Sequence, residues 1–133
     1  MEEALWIIRM AVDAMHHEML AQHGGMPGVR DESALESALA RPRGKWAYDP
    51  HADLASLGAA YAYGLAKNHA YNDGNKRIAF ITMYTSLGMN GVELTAPEPE
   101  VVRVIFDLAS GALGELELAE WVRTHITAAD APQ

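Results

Sequence analysis

Lys67-Asn68-His69-Ala70-Tyr71-Asn72-Asp73-Gly74-Asn75-Lys76-Arg77 is a polar corner set between two apolar stretches. Over residues 52–68, small side chains alternate with Leu54, Leu57, Tyr61 and Leu65, the stripe of a closely packed central helix with Ala and Gly at its crossings. Over residues 75–89, Ile78, Ile81, Met83, Tyr84 and Leu87 keep helical spacing until Asn90-Gly91 ends the run. Two packed helices joined by residues 69–74 make the fold class helical.

Upstream, Leu5, Ile8, Val12, Met15, Met19 and Leu20 paint one face of a first helix that stops at Gly24-Gly25. Gly24-Gly25-Met26-Pro27-Gly28 must be a turn-rich loop. Asp31 suits the N-cap of a short second helix carrying Glu32, Leu35 and Leu39, which Pro42 cannot continue. Residues 41–50 then read as a connector pinned to the core by Trp46 and Tyr48. Downstream, amphipathic stretches at 99–109 and 117–127 are separated by Gly111 and Gly114, and residues 128–133 are expected to fray. No run alternates apolar and polar side chains for long enough to make a buried strand. The expected architecture is one compact all-α domain over residues 1–133, with about six helices and an ordered core over 1–127.

Composition narrows the function. The 133 residues are 50% hydrophobic and 21% charged, enough apolar material for a real core. Ten basic against 18 acidic residues give a net charge of -8, which repels a polyphosphate backbone, so no direct nucleic-acid partner is expected. The absence of cysteine excludes disulfides, thiolate metal sites and a cysteine nucleophile. Met1-Glu2-Glu3 is acidic where a signal peptide is basic, and no apolar run approaches the ~20 residues of a membrane helix. A soluble, cytoplasmic protein with no membrane partner is the expectation.

Within this acidic chain, Lys67, Lys76 and Arg77 concentrate three of the ten basic residues in the polar corner. Gly74-Asn75-Lys76-Arg77 opens a helix whose first N–H groups lack internal partners and whose dipole favours an anion, so a phosphate can dock there. Gly74 permits close backbone approach. Lys76 adds a point charge and Arg77 a planar fork for phosphate oxygens. Asp73 is a hard oxygen ligand of the kind that holds Mg²⁺ beside phosphates. His69 carries an imidazole able to take a hydroxyl proton, which makes it the general base of the set. A simpler alternative is a turn and cap only, but a cap needs one Asp or Asn and not a histidine with paired cations. The Walker pattern is absent.

His69-Ala70-Tyr71-Asn72-Asp73-Gly74-Asn75-Lys76-Arg77 resembles the motif of the Fic/Doc superfamily, in particular its death-on-curing (Doc) toxins of type II toxin-antitoxin systems. That branch carries His-x-Phe-x-Asp/Asn-Ala/Gly-Asn-Lys-Arg. The likeness extends to Gly24-Gly25-Met26-Pro27-Gly28 with Asp31 and to Ala60-Tyr61 leading to Lys67-Asn68, covering roughly residues 10–92. It implies a Fic-type helical bundle that uses ATP with Mg²⁺ to modify a protein hydroxyl. It further implies His69 as base, Asp73 at the metal, and Gly74, Asn75, Lys76 and Arg77 at the phosphates.

Tyr71 replaces the usual Phe and is expected to pack the loop into the core, its hydroxyl needing a partner. Adenylyl-transferring relatives carry Gly-Asn-Gly-Arg and a second Arg three residues on, where this chain has Lys76 and Phe80. Doc relatives share both changes, which implies a protein kinase passing the γ-phosphate to a threonine of elongation factor Tu and halting translation. Adenylyl transfer is the alternative, and a non-catalytic nucleotide- or partner-binding module is a third, which would have no use for His69. The self-inhibitory pattern Ser/Thr-x-x-x-Glu-Gly/Asn is absent, so restraint is expected from a separate antitoxin chain.

Other residues carry less. His16 and His23 suggest a metal pair, but the His-Glu-x-x-His spacing is lacking and a partly exposed polar face is the simpler account. Lys67 either reaches a nucleotide or complements its own helix dipole. Arg30 and Asp31 either shape a flap or cap a helix. Trp6, Trp46 and Trp121 are read as core anchors, and the seven methionines as packing.

Overall fold

The computed structural model describes residues 2–129. Six helices and one strand pair follow in the order α1 (Arg9–His23), α2 (Glu32–Tyr48), α3 (Leu54–Asn68), α4 (Asn75–Met89), β1 (Val92–Leu94), α5 (Glu98–Ser110), α6 (Glu115–Arg123) and β2 (Ile126–Ala128). The all-α class expected from the periodicity is what forms.

Burial singles out α3, where most residues from Ala55 to Ala66 are inaccessible. Its small side chains let α2 and α4 close on it, and α6 covers a further side. Tyr61, Leu65, Ile78, Met83, Leu87, Leu108 and Leu118 fill the common core. The Asp53 side chain caps α3, accepting from Ser56 N–H at 2.9 Å. The same carboxylate accepts from Arg123 Nε at 2.8 Å, tying α3 to the end of α6.

Arg123, helped by the Ser56 N–H and opposed by partial burial, pulls the Asp53 carboxyl down to about 2. Its folded pKa lies below the unfolded value near 3.9, so its stabilisation is complete above that value and is lost as pH falls through about 2. Both partners are partly exposed, so the expected contribution is about 0.5–1 kcal/mol. Urea unfolding at a series of pH values should show the stability gap between wild type and Asp53→Asn closing over this acid window. A gap independent of pH would remove the ion pair from the account.

Several sequence expectations fail locally. Residues 5–8 do not begin the first helix: Ile8 is its extended N-cap, and Leu5 and Ile8 are 60% and 63% exposed. This segment instead laces the chain to the bundle, Ile7 N–H donating to Tyr61 Oη at 3.1 Å and Leu5 N–H to Asn90 Oδ1 at 2.8 Å. The second helix does not stop at Pro42 but runs through it to Tyr48. Pro42 is buried, and Arg41 and Lys45 both reach Glu115 of α6, so tertiary contacts hold the turn that follows the lost N–H.

Tyr48 is no anchor, being 89% exposed, whereas half-buried Trp46 meets Trp6 edge to face at 6.3 Å. Trp121 is also half-buried and donates Nε1–H to Glu100. Met19 and Met83 pack in the core, but Met10 and Met26 are exposed. Helical structure ends at Arg123 rather than near residue 127, and Ile126, Thr127 and Ala128 pair antiparallel with Leu94, Glu93 and Val92. β-branched Ile and Thr favour that strand. Ala128, expected to fray, is therefore paired; residues 130–133 of the expected frayed tail lie outside the described residues. Among the described residues no helix is long and apolar enough to cross a membrane.

Candidate functional site

The corner between α3 and α4 is built from two loops zipped together. The α3 helix stops at His69, which takes left-handed backbone angles, φ 48° and ψ 47°. Around it, Arg30 Nε donates to His69 O at 3.0 Å, and the N–H groups of Arg30 and Asp31 both donate to Ala70 O. Val29 bridges Tyr71, Asn72 N–H donates to Gly28 O, and Asn72 Nδ2 donates to Pro27 O, both at 3.0 Å. The Gly/Pro stretch at 24–28 is thus the second wall of the motif loop. Arg30 clamps the loop, while Asp31 caps α2 by accepting from Ala34 N–H.

Tyr71 anchors the loop below. It is buried, and its hydroxyl donates to Asp13 Oδ1 at 2.7 Å. Arg9 Nε holds the other oxygen of that carboxylate at 2.9 Å and extends to Glu32 and Glu36. Burial, then the Asp13 acceptor, pushes the phenol well above its usual range, so it stays a donor. This supplies the partner that a tyrosine in place of phenylalanine requires.

Above this base lies a cavity of about 590 Å³. His69, Asp73, Gly74, Asn75, Lys76 and Arg77 line one side, and Phe106, Ala109 and Ser110 of α5 face them. Lys67 is not among the lining residues; its ammonium lies near Gly111, 3.6 Å from where a Cβ would stand there, in the last turn of α3. Gly74, at φ 76°, is the N-cap of α4, and Ile78 N–H to Gly74 O is the first bond of the helix ladder. The N–H groups of Asn75, Lys76 and Arg77 therefore have no acceptor within that ladder. Lys76 Nζ stands over the Phe106 ring, 5.4 Å from its centroid, on the cavity rim.

Asn75 has a structural task beside the phosphate contact expected of it. Its side chain accepts from Tyr71 N–H and donates to Tyr71 O, each at 3.0 Å, a two-point brace across the loop. Its backbone N–H and the second Nδ2 hydrogen are left for an anion. Asp73 is exposed and accepts from Met26 N–H at 3.1 Å and Gly74 N–H at 2.9 Å. These two donors hold its carboxyl below the usual carboxylate range, so it is ionised at neutral pH. Gly25 is needed here, since a Cβ on it would come within 2.9 Å of Asp73 Oδ2 at φ 129°.

His16 overturns the reading of an exposed polar face. It is 4% exposed, stacks on Tyr71 with ring centroids 3.8 Å apart, and places Nε2 2.8 Å from Asp73 O. Its signal was the spacing Val12, His16, Met19, one buried stripe of α1. Asp13 and Arg9 left no comparable trace. No cluster of three or more His, Cys, Asp or Glu capable of holding a metal occurs among the described residues. A lone ionised carboxylate beside an anion site suits a hard divalent cation completed by water and phosphate oxygens.

The Fic/DOC family matches residues 6–87. "Protein kinase doc" of Escherichia phage P1 is 30% identical over 110 residues, 83% of this chain and 86% of that relative. "Toxin Doc" of Mycolicibacterium smegmatis is 43% identical over 74 residues, 55% of this chain and 57% of that relative. The family match takes in both loops of the corner and the helices that carry them, and the chain belongs to the Fic/DOC family.

Proposed function

We propose that this protein is a Doc-type toxin, a cytoplasmic kinase that transfers the γ-phosphate of ATP to a threonine hydroxyl of a translation factor, elongation factor Tu. The observation that carries the reading is the anion site at the start of α4, where unpaired N–H groups and the side chains of Lys76 and Arg77 border one cavity with His69. The name of the phage relative, a protein kinase, supports phosphoryl over adenylyl transfer. So does Phe80, a half-buried ring packed beside Tyr84 where adenylyl-transferring relatives place an arginine.

In this reading His69 accepts the proton of the incoming hydroxyl as its oxygen bonds to the γ-phosphorus. The bond from that phosphorus to the β-γ bridging oxygen breaks, ADP leaves, and the imidazolium releases its proton to water. The Asn75, Lys76 and Arg77 N–H groups and the two cationic side chains hold and neutralise the phosphates, so catalysis is chiefly positioning and charge. Asp73 would hold Mg²⁺, which when bound supplies positive charge against the phosphate oxygens. Lys67, away from the cavity lining, serves its helix C-terminus. The names of the relatives as toxins support an antitoxin partner that restrains the enzyme.

Incubation with elongation factor Tu, Mg²⁺ and ATP labelled at either the γ or the α phosphorus tests the reading. Label from the γ position should appear on the factor and label from the α position should not. Transfer of α label would establish adenylylation, and ATP binding with neither transfer would establish a binding module.

A further inference from the structure

His16 lies 57 residues from Asp73 in sequence, yet their hydrogen bond joins α1 to the turn that opens α4. A carbonyl oxygen can only accept, so Nε2 carries the hydrogen. The peptide between Asp73 and Gly74 is thereby held at both ends, its oxygen by His16 at 2.8 Å and its N–H by Asp73 Oδ1 at 2.9 Å. This peptide plane precedes a residue at φ 76°, after which the N–H groups of Asn75, Lys76 and Arg77 follow. Rotating it would re-aim the Asp73 carboxylate and the helix start together. The imidazole cannot easily follow such a rotation, because it is stacked on Tyr71 at an interplanar angle of 15°, and Tyr71 is tied through Asp13 to Arg9.

We propose that His16 is a positioning residue of the transferase: acting through the Asp73 carbonyl, it sets the Asp73–Gly74 peptide plane and hence the seat of the nucleotide phosphates and of the metal carboxylate. Its consequence for transfer rests on the kinase reading above; its geometry does not. Packing and hydrogen bonding separate in two variants. His16→Phe keeps a ring against Tyr71 and loses the donor, whereas His16→Gln loses the ring and keeps an amide donor at about the reach of Nε2.

In the ligand-free protein, ¹⁵N–¹H spectra should show the Gly74 amide displaced in His16→Phe and returned toward its wild-type position in His16→Gln. Titration with ATP and Mg²⁺ should show affinity weakened about tenfold or more in His16→Phe. The turnover number should fall about 10²-fold, with the Michaelis constant for the protein substrate little changed and most of both losses recovered in His16→Gln. Should His16→Phe fail to fold, His16→Gln against His16→Asn carries the same test, since the asparagine amide is one carbon short of the carbonyl. A wild-type Gly74 resonance and wild-type ATP affinity in a folded variant without the donor would overturn the proposal. A displaced and rescued Gly74 amide, with no γ label ever transferred, would instead uphold the positioning role and defeat the kinase reading.

Discussion

In the proposed reaction, replacing His69 by asparagine should lower phosphoryl transfer by about 10²–10⁴-fold, the contribution of a general base, and abolish the growth arrest expected on expression. Asparagine is the right replacement because it tolerates the left-handed backbone found at this position, φ 48° and ψ 47°, better than alanine does. The His69 side chain is exposed and the fold uses only its backbone, through the carbonyl held by Arg30. The melting temperature and the affinity for ATP should therefore stay close to wild type. Single-turnover assays with purified protein separate the two quantities. Transfer and arrest at wild-type levels would take His69 out of the chemistry and leave the cavity a binding site.

The second large effect lies at the α2–α3 crossing. A Cβ on Gly64 would sit 3.0 Å from Ala38 Cα and 3.2 Å from Ala38 O, both backbone atoms that no rotamer change can move aside. Gly64→Leu should cost about 3 kcal/mol or more, from overpacking between two helices that share the core. Against the ~5–15 kcal/mol that stabilises a typical domain, this is a large fraction. Gly44, in α2, meets nothing within 4 Å, so Gly44→Ala should gain about 0.5–1 kcal/mol from helix propensity alone. Urea denaturation of both variants checks the opposite signs. A neutral Gly64→Leu would mean that the helices part more easily than their backbone contact implies.

Much of this architecture is legible in sequence. The small residues of α3 announce a close crossing, and the polar corner announces a helix start with two cations beside it, because both depend on local pattern and on chemistry that few residue types supply. His69, Asp73, Gly74, Asn75, Lys76 and Arg77 do line one cavity. What stays hidden is set by tertiary contact. Pro42 reads as a stop because its missing N–H is local, whereas the Glu115 pairs that carry α2 past it come from a distant helix. Leu5 and Ile8 fit a helical stripe by spacing, but Tyr61 and Asn90 hold the segment extended. Nothing in the neighbours of Asn75 reveals that its amide also spans Tyr71. Lys67 is close in sequence to the motif and still falls outside the lining, since it sits in the last turn of α3, which ends at Asn68 before the chain turns at His69.

The strand pair at the end of the chain has a bearing on the cavity far from it in sequence. Val92 and Ala128 meet across the bracket formed by β1 and β2, so everything between them, including the α5 wall with Phe106, Ala109 and Ser110, is a loop buckled shut at its base. The α5 wall is held twice, by its own packing on α3 and α4 and by this base of three residue pairs. Losing Ile126–Ala128 would leave Val92–Leu94 as an unpaired edge at the base of that loop.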